Sequence, residues 1–94
     1  MDFATRADLA GRLRGLVILL DDHLTLDQCR AADQSIDADD FAAALEMLAD
    51  WLAEAKTPIP DDIRRDFERL SSQIGSTERV MGPINEHCPA APDE

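Results

Sequence analysis

Leu9, Leu13, Leu16 and Leu20 recur at helical spacing near the start of the chain and place one apolar stripe on a helix of about residues 6–20. Thr5, with Asp8 three residues on, offers that helix a capped start. Asp21-Asp22-His23 breaks the pattern. Thr25 then reads as the N-cap of a short second helix, about 26–34, with Leu26 and Cys29 turned inward. The third helix, about 39–55, is the most regular. Phe41, Leu45, Leu48 and Leu52 repeat the stripe behind an acidic start at Asp37, Asp39 and Asp40.

Pro58 and Pro60 cannot continue that helix, and each biases the residue before it toward an extended conformation. A fourth helix, about 60–74, starts with Pro60 as its first helical residue, carries the stripe Ile63, Phe67, Leu70, Ile74, and stops at Gly75. Ile59, alone between two prolines, is expected to pin the corner to the core. Residues 77–81 allow one short extra turn, and 82–94 read as a flexible tail with little to bury. No segment alternates as a strand does. The expected fold is a small all-α bundle of four helices, a single domain over 1–81.

Composition sharpens this picture. A 94-residue chain with 45% hydrophobic residues builds one modest core, and with three Phe, one Trp and no Tyr that core is aliphatic. Twenty acids against nine bases give a net charge of −11. Such a balance argues against nucleic acid and against anionic lipid, and favours a basic protein as partner. The longest apolar run, residues 16–20, is too short to span a bilayer, and the N-terminus lacks a basic leader, so a cytoplasmic protein is expected. Cys29 and Cys88 form no paired motif and read as free thiols.

Candidate chemistry is thin. Asp21-Asp22-His23 and Glu86-His87-Cys88 are the titratable clusters, and neither has a second His or Cys at ligand spacing. No phosphate loop or nucleophile motif is present. No enzyme activity, metal or cofactor is expected.

Two surfaces carry more. Gly11, Gly15 and Ile18 share the side of the first helix opposite its leucines. They suit a central helix packed on both sides, a face for weak homo-oligomerisation, or a place where glycine is merely tolerated. On the third helix Glu46, Asp50 and Glu54 follow one another at four-residue steps with no base between them, a self-repelling row. The fourth helix is expected to be largely compensated by contrast, through Asp61 with Arg65, Asp62 and Asp66 with Arg69, and Arg64 with Glu68. The uncompensated row reads either as a solvated face or, with Met47 at its edge and Asp39 and Asp40 at the helix start, as the candidate docking site for a cationic partner. Trp51 reads either as half-buried packing or as an anchor in that contact.

The stretch AALEMLADWLAEAKTPIPDDI, residues 43–63, resembles the MafI-type immunity proteins, small helical partners of secreted polymorphic toxins. The likeness lies in Ala44-Leu45-Glu46, Leu48, Asp50, Leu52, Glu54, Pro58-Ile59 and Asp61-Asp62. It implies a stoichiometric inhibitor of a cognate toxin domain, a nuclease being the expected kind, whose basic groove the acidic row would fill. The competing expectation is an acidic helical adaptor or self-associating module with no inhibitory role.

Overall fold

The structure is a computed structural model that describes residues 3–91. Five α-helices follow one another: α1 (Phe3–Leu19), α2 (Leu26–Asp37), α3 (Phe41–Glu54), α4 (Asp61–Ile74) and α5 (Thr77–His87), with a single 3-10 turn at Asp21–His23. The predicted stripes of α1 and α3, with Phe67 and Leu70 of α4, form the core, whereas Cys29, Ile63 and Ile74 are half-buried and Leu26, expected to turn inward, is exposed. Leu9, Leu13, Leu16 and Leu20 are essentially inaccessible, as are Leu45, Leu48, Leu52 and Phe67. Helix α3 lies centrally, packing against all four others and most extensively against α5. No helix among the described residues is long and apolar enough to cross a membrane.

Local chemistry sets most boundaries. Thr25 closes a reciprocal capping box: its Oγ1 accepts from the Gln28 amide at 3.1 Å, and its own amide donates to Gln28 Oε1 at 3.0 Å. Helix α2 runs a turn past the expected residue 34, because Ile36 continues the Cys29–Ala32 stripe into the core. Three helices end in left-handed residues whose following amide reaches five residues back, as Asp40 N does to Ser35 O, Thr57 N to Leu52 O and Ser76 N to Ser71 O. The left-handed residues are Asp39 (φ 60°), Lys56 (φ 52°) and Gly75 (φ 87°). Only the last is the residue type that accepts this backbone at no steric cost.

Some starts differ from expectation. Helix α1 begins at Phe3 and runs through Thr5, so Thr5 is not its cap, and Asp8 instead meets Arg12 Nε at 3.0 Å. Pro60 stands outside α4 as its N-cap, with ψ of 153°, and the first helical residue is Asp61.

The largest correction is at the C-terminus. The segment expected to hold one turn and a tail folds as α5, with Pro83 inside it. Proline removes one amide donor and crowds the carbonyl four residues back. The helix persists because Val80, Met81 and Ile84 are buried against α3 and α4. Beyond it, the Ile59 amide donates to Pro89 O at 2.9 Å and the Ala91 amide to Ile59 O at 3.2 Å, an isolated parallel bridge. Arg64 ties the same region down, donating from Nη1 to Asn85 Oδ1 at 3.2 Å and from Nη2 to the Cys88 carbonyl at 2.9 Å. The Pro58–Pro60 corner therefore does two things: Ile59 plugs the core with its side chain and holds the chain end with its backbone. Residues 92–94 of the expected tail lie outside the described residues.

Candidate functional site

The outward strip of α3 carries Glu46, Met47, Asp50, Trp51 and Glu54, all half-buried except the exposed Glu54. Helix periodicity puts them there, since Leu45, Leu48 and Leu52 take the opposite side. The row of acids is not self-repelling as expected. Arg79 of α5 lies across it, donating from Nη1 and Nη2 to the two Asp50 carboxylate oxygens at 3.0 and 2.9 Å, with Nε 3.2 Å from Glu46 Oε1. A planar guanidinium gripping a carboxylate in this bidentate way is geometrically specific as well as charged. The Arg79 hydrogen bond holds the Asp50 carboxyl below its ordinary 3.8, with partial burial opposing it and the Arg79 charge adding to it. Asp50 in turn raises the Arg79 pKa, first by hydrogen bonding and then by charge, so both groups stay ionised at neutral pH.

Glu54 is left without an ion pair among the described residues. It borders a shallow cleft of about 390 Å³ between α3 and α5, edged by Asp50, Lys56, Pro83 and His87. Met47 and Trp51 form the apolar side of the strip, Trp51 packing against the core. The other two expected site residues have local duties. Asp40 caps α3, its Oδ1 accepting from the Ala43 amide at 3.3 Å, while Asp39 turns the chain in its left-handed conformation and meets Arg6 Nη1 at 3.6 Å. They stand at the start of α3, apart from the Arg79 contact.

The expected compensation within α4 is absent. No ion pair forms inside that helix, and Arg64 is drawn to the end of α5 rather than to Glu68. The two titratable clusters do not converge either. Asp21, Asp22 and His23 are all exposed on the 3-10 turn. His87 lies 3.9 Å from Glu86, whereas Cys88 points into the core, where burial pushes its thiol pKa up against the lowering charge of Arg64. Among the described residues no three His, Cys, Asp or Glu side chains come together as a metal would require. Cys29 and Cys88 are both free thiols.

Gly11, Gly15 and Ile18 do not serve a helix packed on both sides. An added Cβ at either glycine would meet nothing within 4 Å, and Ile18 is 70% exposed. This side of α1 is open surface.

No family model matches the chain, and no curated protein or solved structure does either.

Proposed function

We propose that this chain is a stoichiometric protein-binding inhibitor of the immunity type, and that the outward strip of α3 is where a cationic toxin domain docks. The observation that carries the reading is the pairing of half-buried Met47 and Trp51 with an acidic edge already shaped to hold a guanidinium, as Arg79 does on Asp50. Aromatic and Met contacts beside ordered charges are the composition that interface centres favour. Glu54, beside its cleft, is the carboxylate open to a partner's Lys or Arg. The resemblance of residues 43–63 to the MafI-type proteins supports the same reading, because three of its acidic positions, Glu46, Asp50 and Glu54, fall on this strip.

Arg79 changes how the proposal is tested. Turning Glu46 and Asp50 into Lys would set like charges against Arg79 and disturb the fold along with the interface. Glu54→Lys with Met47→Asp leaves that contact intact. Co-expression with the toxic domain encoded beside this chain should restore growth and yield a stoichiometric complex, and the double variant should lose both while keeping its helical circular dichroism. No rescue by the wild-type chain would overturn the reading.

A further inference from the structure

The three acids of the α3 strip are not equivalent. Arg79 engages two of them, gripping both oxygens of Asp50 and reaching Glu46 with Nε at 3.2 Å. Glu54, exposed and without an ion pair among the described residues, is the carboxylate of the row left for a neighbour. Lys56 edges the same cleft as Glu54. Across the strip and its cleft, with His87 counted as neutral, three acids therefore meet two bases. The net charge there is −1, in a chain of −11.

The charge that draws a basic partner is thus spread over the rest of the chain, while the strip itself is close to balanced. Long-range fields set how fast such partners meet, and the groups in contact set how tightly they hold. A groove built for nucleic acid answers a run of phosphates cation by cation. A strip with one open carboxylate does not imitate such a run. What it offers in area is apolar: Met47 and Trp51 are half-buried along its side, and Trp51 rests on the core. Aromatic and Met side chains held in place this way are what the centres of protein contacts favour. We infer that Arg79 sets the specificity of the strip: with Glu46 and Asp50 taken up, a partner seats an apolar patch on Met47 and Trp51 and brings a single Lys or Arg to Glu54. The chain then caps an apolar patch of its target rather than standing in for bound phosphates. This inference rests on the inhibitor reading of the strip and names the partner surface that the strip selects.

Calorimetric titration of the whole chain with the purified toxic domain encoded beside it, in about 50 mM and about 500 mM salt, tests it. Wild-type affinity should fall no more than about tenfold between the two, the share of one screened ion pair. Glu54→Gln should weaken binding by up to about tenfold in low salt and remove the salt response. Met47→Ser should weaken it roughly 30-fold in both. Arg79→Gln frees two carboxylates, so its affinity should fall at least ~100-fold over the same range of salt. Arg79→Lys keeps the positive charge and should stay close to the wild-type response. A wild-type fall of ~100-fold or more, with Met47→Ser harmless, would overturn the inference and leave the inhibitor reading standing. So would an Arg79→Gln response equal to that of the wild type. No complex at either salt would sink the inhibitor reading itself, and this inference with it.

Discussion

Along α3 one arginine from another helix serves two acids: Arg79 of α5 holds Glu46 and Asp50, and Glu54 has no ion pair among the described residues. Along α1 each arginine has a carboxylate of its own: Arg12 with Asp8 one turn earlier, and Arg14 and Arg6 with Asp37 and Asp39 at and just beyond the end of α2. The two outer faces thus present different things to a partner. The α3 strip offers ordered carboxylates beside Met47 and Trp51, whereas α1 offers exposed Ile18 and Leu19 around an unfilled glycine. A row of like charges on one helix is therefore not a repulsive row until the helices beside it are known. An apolar second side, equally, does not mean burial on two sides.

The largest effect is expected where α5 meets α3. Ile84 is fully buried in that seam, and Ile84→Asp should cost about 4 kcal/mol or more and unfold the chain, read by urea titration of the helical signal. Ile18→Asp on the open face of α1 makes the same chemical change and should shift monomer stability by no more than about 0.5 kcal/mol. Equal costs would mean that the two faces are not different in kind. Of intermediate size is Lys56→Gly, which relieves a left-handed non-glycine residue beside the strip and should stabilise by about 0.5–1 kcal/mol in the same titration.

Thiol chemistry reports the seam separately. Half-buried Cys29 should react quickly with a thiol reagent, and buried Cys88 only as the end of α5 opens. Ile84→Ala should speed Cys88 and leave Cys29 unchanged.

The smallest effects are electrostatic. Arg79→Ala should lower the melting temperature slightly, and less so in high salt. Because the folded Asp50 pKa is depressed, its contribution is full above the ordinary value of 3.8 and is lost as pH falls below it through the lowered folded value. An Asp50→Asn variant should therefore show a shallower acid-side decline in stability than the wild type.

Much of this fold was legible as spacing. The leucine stripes of α1 and α3, the Thr25–Gln28 box, the Gly75 stop and the plug at Ile59 all depend on residues close in sequence. Helix α5 was missed because Gly82-Pro83 reads as a breaker, although Val80, Ile84 and Cys88 repeat at four-residue steps through it. With α5 went Arg79, which stands beside that stripe at the edge facing α3. Periodicity names neighbours within one helix only, so neither the Arg79–Asp50 grip nor the reach of Arg64 to the Cys88 carbonyl could be read from it. Four of the six expected site residues, Glu46, Met47, Asp50 and Glu54, do share one strip, while Asp39 and Asp40 turned out to shape the loop that starts α3.

The α3 strip, and not the α1 face, is proposed as the place where a cationic toxin domain docks. The most direct test compares growth rescue by two variants co-expressed with that domain: Glu54→Lys with Met47→Asp, and Ile18→Asp alone. The first should lose rescue and the second retain it, both at wild-type levels of soluble helical protein. Rescue that survives the α3 changes and disappears with Ile18→Asp would contradict it.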